Sequence, residues 1–188
     1  MTLALDLRLI SVVEYHRMGE VGILNPDEKV ELLAGQIVKK QVKGTRHTST
    51  NKRLEKYLEN ALVDRVLVRT QDPIRLDNYS EPEPDIAVVV PDPLFYAEHH
   101  PTPAEVYLII EISDTTLRQD CEFKAQLYAQ AGINDYWVLD LSNRRLYVFR
   151  LPSREGYQVQ QVLIDGEMIS PLAFPAFNLP VSDLLPPV

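Results

Sequence analysis

The chain has 188 residues, of which 45% are hydrophobic and 24% are charged, as in ordinary globular domains. Its formal net charge of −8 argues against a general nucleic-acid coat, because non-specific affinity for nucleic acids comes largely from Lys and Arg side chains. No window approaches the roughly 18 apolar residues of a membrane span. Asp6 and Arg8 interrupt the first apolar run, which makes it a poor signal peptide. The single cysteine, Cys121, excludes an internal disulfide and suits a reducing cytoplasm.

A short helix and a hairpin are predicted first. Ser11 with Glu14 three residues later matches a capping box, which predicts a helix that runs to Met18. Two strand-like runs, 30–33 and 36–38, flank Ala34-Gly35 and predict a β-hairpin. Glu31 lies on its first strand, either as a charge at the rim or as part of a site.

Basic residues concentrate between Lys39 and Lys56, where a single acid, Glu55, interrupts them. They are Lys39, Lys40, Lys43, Arg46, Lys52, Arg53 and Lys56. We predict a loop over residues 44–47 and a helix over 48–62, which carries an apolar stripe at helical spacing. His47, directly ahead of that helix, is expected either to cap it or to bind phosphate. The basic run itself is either a solvent-exposed surface without a binding role or a surface that contacts phosphates.

Two carboxylates stand at the ends of strands that we expect to be buried. Residues 66–70 and 73–76 are predicted as short strands, and the apolar run 86–90 as another. That strand must begin after Pro84, because proline is excluded from central strands, so Asp85 lies at its mouth. The five apolar residues 106–110 predict a strand covered on both faces, and Glu111 follows it directly. A buried carboxylate is costly unless it is paired, protonated or bound to a metal.

A helix and another buried strand follow Glu111. The helix is predicted over residues 117–131, with Gly132 as its stop signal. Asp120 and Lys124 are four residues apart on it and therefore share a face. Residues 136–139 read as the strand. His99 and His100 are adjacent on a loop, so their side chains point apart and we do not expect them to form a metal site together.

The rest of the chain is predicted to be β-structure and tail. Residues 146–151, 157–164 and a short run near Met168 predict a meander, and the proline-rich tail from Pro171 is expected to wrap the surface. We expect a single α/β domain over residues 1–188, with a catalytic core at about 10–150 and the meander and tail at 151–188.

The two strand-end carboxylates suggest a metal site. If the strands next to Asp85 and Glu111 are antiparallel neighbours, both acids meet at one edge of the sheet. Alternation places Ser113 on the same face as Glu111. A divalent cation relieves the repulsion between two carboxylates, and oxygen ligands favour Mg²⁺ or Mn²⁺ over Zn²⁺. A helix that folds back over the sheet could bring Lys124 to the same edge.

These residues resemble the PD-(D/E)xK nuclease superfamily and, more narrowly, the Uma family, whose members are regarded as endonucleases and are abundant in cyanobacteria. The resemblance covers roughly residues 10–150. The matching features are the hairpin at Glu31, the His47 region, Gln71-Asp72-Pro73, Pro84-Asp85, Glu111-Ile112-Ser113, Asp120 with Lys124, and the segment 135–140. One position departs from the wider superfamily: the lysine expected two residues after the acid is Ser113 here. In the Uma family that lysine has moved to the helix, where Lys124 stands.

The resemblance implies a restriction-endonuclease-like fold, with a mixed central sheet flanked by helices, and metal-assisted hydrolysis of DNA. Asp85, Glu111 and the backbone carbonyl of Ile112 are expected to hold Mg²⁺ or Mn²⁺, and Lys124 to orient the attacking water or stabilise negative charge. The expected supporting residues are Glu31, His47, Gln71, Ser113 and Asp120. The expected DNA-binding residues are Lys39, Lys40, Lys43, Arg46, Lys52 and Arg53.

Two alternatives remain open at this point. One is a nucleic-acid-binding or regulatory module that keeps the fold without turnover. The other is a structural protein in which Lys124 satisfies the acids as a buried ion pair. A homodimer is expected, because nucleases that cut both strands often pair and the residues after Asp140 offer a strand edge. We expect no association with membranes.

Overall fold

The computed structural model describes residues 7–25 and 27–187; the start of the N-terminal run, including Asp6, lies outside them. The helices are α1 (Val12–Glu20), α2 (Thr45–Ala61), α3 (Ala125–Gln130) and α4 (Val181–Leu184). The strands are β1 (Val30–Leu33), β2 (Gln36–Lys39), β3 (Leu67–Arg69), β4 (Ile86–Val89), β5 (Val106–Ser113), β6 (Asp135–Asp140), β7 (Arg145–Ser153), β8 (Gly156–Ile164), β9 (Met168–Ile169) and β10 (Leu179–Pro180). Within residues 7–25 and 27–187, no helix is long and apolar enough to cross a membrane.

A six-stranded mixed sheet forms the centre of the fold, in the order β3-β4-β5-β6-β7-β8. The β5–β6 pair is parallel and the other neighbours are antiparallel, because the helix between β5 and β6 returns the chain to the same end of the sheet. The predicted α/β class with a mixed sheet flanked by helices is confirmed. The antiparallel pairing of β4 with β5 is also as predicted: Ile86 lies opposite Ile110, so Asp85 and Glu111 lie at the same sheet end.

Each face of the sheet has its own apolar layer. On one face, Leu54 and Leu58 of α2 pack against alternate residues of β5 that include Ile110. On the other face, Tyr128 of α3 and Leu33 of the β1–β2 hairpin join the intervening residues. Coverage on both faces explains why β5 reads as a continuous apolar run. Glu111, one residue after Ile110, therefore points to the α3 face.

The predicted N-terminal helix and hairpin are confirmed. Ser11 caps α1 through a complete capping box with Glu14, and α1 ends at Glu20, two residues beyond the predicted Met18. In the hairpin, Glu31 pairs with Val38. Ala34 and Gly35 both have positive φ, 48° and 72°, as a two-residue hairpin turn requires.

Two predicted boundaries and one predicted strand were wrong. Helix α2 begins at Thr45 rather than at residue 48, so residues 45–47 are helical; Gly44 is its N-cap without a side-chain hydrogen bond. Because no capping side chain precedes α2, the sequence contains no signal for the residue at which the helix begins. Residues 73–76 are not a strand: the amides of Ile74 and Leu76 donate to Pro82 and Ser80, at 3.0 Å each, without forming a ladder. The strand predicted over 66–70 is limited to Leu67–Arg69.

The helix after Glu111 contains a π-helical turn that we did not predict. Gln119–Lys124 adopts this wider turn and continues directly into α3. The amide of Ala125 donates to the carbonyl of Asp120, five residues earlier. The hydroxyl of Tyr136, from β6, donates to the same carbonyl at 2.9 Å. π-Turns within helices are frequent at functional sites.

The C-terminal prediction was partly wrong. The first two strands of the predicted meander are present as β7 and β8, but they belong to the central sheet, and β9 leaves it and pairs with β10. The tail does not merely wrap the surface, because Leu179, Leu184 and Leu185 are fully buried. These side chains join the α2 face of the core. Their spacing follows neither helix nor strand periodicity, so the sequence pattern concealed them.

Candidate active site

Asp85 lies directly before β4, and both of its carboxylate oxygens and its backbone carbonyl have hydrogen-bond partners. Its Oδ2 accepts from the amide of Ile112 at 2.8 Å and lies 2.9 Å from His47 Nε2. Its Oδ1 accepts from Lys43 Nζ at 2.8 Å. Its carbonyl accepts from the side chain of Asn51 at 3.0 Å. Burial raises the pKa of Asp85, but the hydrogen bond and charge of His47 and the ammonium of Lys43 outweigh it and hold that pKa well below its usual range. Asp85 is therefore an anion.

Glu111 and Lys124 form a buried ion pair on the α3 face. Lys124 Nζ lies 2.9 Å from Glu111 Oε1, which also accepts from the hydroxyl of Tyr128 at 3.0 Å. The other oxygen, Oε2, accepts from the amide of Asp85 at 3.3 Å. The two predicted acids and the predicted lysine thus converge at one sheet end.

Two more acids complete the cluster. Glu31 Oε1 lies 3.5 Å from Lys124 Nζ, and its Oε2 accepts from the amide of Glu83 at 3.1 Å. Asp120 is buried on the π-helical turn and accepts from Thr116 Oγ1 at 2.6 Å. Burial raises the pKa of Asp120, against the attraction of the nearby Lys124.

The cluster holds more carboxyl groups than ammonium groups. Four carboxyl groups, those of Glu31, Asp85, Glu111 and Asp120, surround the two ammonium groups of Lys43 and Lys124. Burial raises the pKa of Glu111 to about 8, because the attraction of Lys124 only partly offsets the desolvation and the repulsion of the other acids. Burial alone would lower the pKa of Lys124, but Glu111, Glu31 and Asp120 raise it well above its usual range. Lys124 is accordingly an ammonium ion.

The other predicted site residues lie at different distances from this cluster. Ile112 lines the cleft; because its amide donates to Asp85, its carbonyl points beyond the end of β4 on the same side of β5. Ser113 is buried and contacts Thr116 Oγ1 at 3.4 Å rather than Lys124. Gln71 approaches Asp85 only through its backbone: its amide donates to the carbonyls of Pro84 and Asp85, at 3.1 and 3.3 Å, while its side chain is exposed.

A cleft of about 270 Å³ opens over the acids, and only some of the predicted basic residues line it. Lys39, Lys40 and Lys43 line it; Lys40 is paired with Glu83. Arg46 is not among the lining residues and donates to the carbonyl of Leu141 at 3.1 Å. Lys52 is paired with Glu55 at 2.8 Å. Arg53 donates to the carbonyl of Leu185.

Three side chains that shape the site were not predicted from the sequence. Asn51 and His47 are four residues apart on α2, the spacing that puts both on one face; placing His47 ahead of the helix concealed this. Tyr128 is four residues after Lys124 and reaches the same carboxylate oxygen. Thr116 holds the carboxylate of Asp120 through its hydroxyl.

A family model described as "Putative restriction endonuclease", the Uma2 family, matches residues 12–182. The chain belongs to the Uma2 family. The Uma resemblance on the motifs at Glu31, Asp85, Glu111 and Lys124 is therefore confirmed at the level of the family. The matched range includes β8 and the buried Leu179 of this Uma2 chain, well beyond the resemblance noted at about 10–150.

The fold of this Uma2 chain is similar to a crystal structure described as "a putative nuclease belonging to DUF820 from Anabaena variabilis ATCC 29413". The TM-score is 0.71 at 15% sequence identity, and the alignment covers 93% of this chain and 97% of that chain. At this identity the likeness supports the fold alone. No match was found among curated proteins.

The donors in this Uma2 cleft fit a hard divalent cation. The groups at the end of β5 are the carboxylates of Asp85 and Glu111 and the carbonyl of Ile112, all of them oxygen donors, as Mg²⁺ and Mn²⁺ prefer. A divalent cation bound there would also favour the ionised form of Glu111, whose pKa burial raises to about 8. The residues present therefore fit the metal that the fold implies.

Proposed function

We propose that this protein is an Mg²⁺- or Mn²⁺-dependent endonuclease that hydrolyses phosphodiester bonds in DNA. One observation carries the proposal: Asp85 and Glu111, from separate strands, meet Lys124 at one sheet end inside a cleft. A buried ion pair that served stability alone would need neither that cleft nor the lysines along it. The Uma2 family description supports the same class of reaction.

Asp85, Glu111 and the carbonyl of Ile112 are proposed to hold the metal. A bound Mg²⁺ or Mn²⁺ supplies a water of lowered pKa and neutralises charge that develops on the phosphate. Lys124, fixed between Glu111 and Glu31, keeps its proton and offers an ammonium to the attacking water or to the phosphate oxygens. Asp120, held by Thr116, supports the position of that ammonium.

The proposed partner is DNA, bound along the cleft wall. Lys39 and Lys40 line the cleft on β2 and just after it, and Lys43 follows in the loop before α2. A localised basic wall on an acidic protein favours contact with phosphates at the site over avid coating of nucleic acid. The single Cys121 is consistent with action in a reducing cytoplasm.

Cleavage of supercoiled plasmid DNA tests the proposal. Purified protein with Mn²⁺ or Mg²⁺ is expected to nick the plasmid, and chelation to stop the reaction. Glu111→Gln and Asp85→Asn are expected to lower the rate at least about 100-fold, the scale of losing one group that stabilises the transition state. Glu122→Gln, which changes an exposed acid on the helical turn that carries Lys124, is the matched control and should retain the rate. If wild-type protein leaves plasmid, linear and single-stranded DNA intact with both metals, the proposal fails.

A second candidate, a DNA-binding module without turnover, is favoured by one specific observation. Lys43 and His47 already occupy the two oxygens of Asp85, so a metal must compete with both. On this alternative, the protein retains DNA at low salt and Asp85→Asn and Glu111→Gln bind DNA as the wild type does. A loss of Mn²⁺ uptake in equilibrium dialysis on either substitution argues against it.

We also propose a homodimer, paired along β8. This strand is the outer member of the central sheet, and Val159, Val162 and Ile164 are all at least 40% exposed on it. An unpaired apolar edge favours strand pairing with a second copy. Light scattering should give twice the chain mass, and Val162→Lys should return the mass to that of one chain; a wild-type monomer at all concentrations would exclude the dimer.

A further inference from the structure

Three side chains from separate segments meet outside the cleft. They are His16 on α1, Glu81 in the chain leading to β4, and His100 in the loop before β5. One potential ligand atom from each lies within 4.8 Å of the other two. His16 Nε2 is 2.5 Å from Glu81 Oε1, and the two imidazole rings stand nearly perpendicular, with centroids 6.3 Å apart.

Two atoms of this trio are buried without a hydrogen-bond partner among the described residues: Glu81 Oε2 and His100 Nδ1. The side chain of Glu81 is only 2% exposed. A buried carboxylate oxygen without a donor is costly, and native proteins rarely leave one. The trio is therefore incomplete as a set of hydrogen bonds.

The backbone fixes each member independently of its side chain. The amide of Glu81 donates to Leu32 of β1 at 2.8 Å. Next to His100, the carbonyl of Pro101 accepts from the amide of Arg75 at 2.8 Å. Helix α1 is tied to the loop at Asn78, whose carbonyl accepts from the amide of Val12 at 2.8 Å. Three anchored segments bring the ligand atoms together, so little ordering is needed to bind an ion.

The donor chemistry differs from that of the cleft. Two imidazoles and one carboxylate form a ligand set that zinc uses with three protein ligands, leaving a fourth position for water. The neighbouring Arg69 is directed to Asp72, 3.5 Å away. His16 is 44% exposed, so solvent can reach the site.

We propose that His16, Glu81 and His100 form a second metal site, for Zn²⁺, separate from the carboxylate cleft. None of the three lines the cleft. The ion would join α1 to two loops. One of these loops carries Glu81, which is four residues before Asp85 in the chain. A metal that binds only the folded state also stabilises it, so zinc would fasten the N-terminal helix to the segment that carries the cleft's first acid.

Titration of chelator-treated protein with Zn²⁺ alone tests this site. We use Glu111→Gln protein as the background, which weakens binding in the cleft. Calorimetry should give one Zn²⁺ per chain, and His16→Ala and His100→Ala should each weaken it at least 100-fold. Co²⁺ in place of Zn²⁺ should give the visible absorption of a four-coordinate site with nitrogen ligands. Zn²⁺ should also raise the Tm of the background protein but not that of His16→Ala.

The matched control is His99→Ala, which removes the adjacent exposed imidazole, 3.3 Å from Glu105, and should leave the titration unchanged. His16 is exposed, so its replacement preserves the fold; circular dichroism checks this, and His16→Gln serves if it does not. The proposal is overturned if no stoichiometric Zn²⁺ binds, or if His16→Ala and His100→Ala bind as the background does. Binding lost equally in His99→Ala would overturn it as well.

Discussion

Lys124 is the residue on which the acidic cluster depends. It contacts Glu111 at 2.9 Å and Glu31 at 3.5 Å while almost fully buried. The net stabilisation from a buried ion pair is small, because desolvation offsets attraction. Removal of one partner destabilises the fold strongly, because it leaves the other charge buried without a counter-charge.

We therefore expect Lys124→Met to lower the free energy of unfolding by about 3–5 kcal/mol. Urea denaturation measures this change. Lys56→Met, which replaces an exposed lysine on α2, is the control and should change stability by less than about 0.5 kcal/mol. A loss below about 1 kcal/mol in Lys124→Met would mean that the acids take up protons without cost when the lysine is absent.

Two exposed lysines can distinguish DNA binding at the cleft from a general effect of positive charge on the protein surface. Lys39 lines the cleft and Lys52 does not, although both side chains are well exposed, at 84% and 69%. Lys39→Ala should weaken DNA binding and reduce the slope of log K against log salt by about 0.9, the value for one phosphate contact. Lys52→Ala should change neither. Fluorescence anisotropy at several salt concentrations measures both, and equal effects would remove the cleft wall as the binding surface.

At the scale of elements, the π-helical turn Gln119–Lys124 sets the geometry of the site. Four side chains of α3 and its first turn, Ala125, Leu127, Tyr128 and Ala129, are buried in the core. The wider turn therefore changes the direction of the residues before it, including Asp120. Tyr136 stabilises the turn through the carbonyl of Asp120.

Deletion of the exposed Glu122 should return the turn to α-helix. In the deletion variant the bond from the amide of Ala125 to the carbonyl of Asp120 becomes the i→i+4 bond of an α-helix. Asp120 and Lys124 are then three rather than four residues apart, which changes the direction of the Asp120 side chain relative to the Lys124 ammonium. We expect loss of DNA cleavage with helical content preserved. Cleavage assays and far-UV circular dichroism measure the two effects, with Glu122→Ala as the control. Full activity of the deletion variant would show that the site does not need the π-turn.

The β1–β2 hairpin gives a second prediction at this scale. Gly35 has φ of 72°, and a Cβ built there would lie 2.6 Å from Cβ of Leu9. Gly35→Ala combines an unfavourable backbone with a collision, so it should lower the free energy of unfolding by about 1–3 kcal/mol. Gly19→Ala, where a Cβ meets nothing within 4 Å, is the control. Thermal denaturation compares them; equal Tm values would contradict the strained turn.

At the scale of the whole molecule, the C-terminal segment closes the α2 face of the core. Leu179→Ala removes a fully buried side chain and should cost about 2–5 kcal/mol of unfolding free energy. Leu172→Ala, at a position 47% exposed in the same segment, should cost less than about 0.5 kcal/mol. Chemical denaturation distinguishes them, and similar values for the two variants would mean that the segment is not part of the cooperative core.

The sequence by itself determined the α/β class, the capped helix α1, the hairpin turn and the two charged residues, Asp85 and Glu111, at the ends of apolar strands. These follow from local patterns: capping chemistry, period-two alternation and the cost of burying charge. Lys124 came from the family resemblance rather than from the pattern, since a lysine four residues after an aspartate is common on helix surfaces.

Only the tertiary structure decided which groups complete the site. Asn51 reaches Asp85 from a helix distant in sequence, and Tyr128 reaches Glu111 from the helix that follows β5. Because α2 begins without a capping side chain, His47 could not be placed in advance. The trio of His16, Glu81 and His100 spans three segments, and no spacing rule connects them. Contacts between distant segments depend on how the helices pack on the sheet. That packing is determined by residues throughout the core and not by any short run of residues.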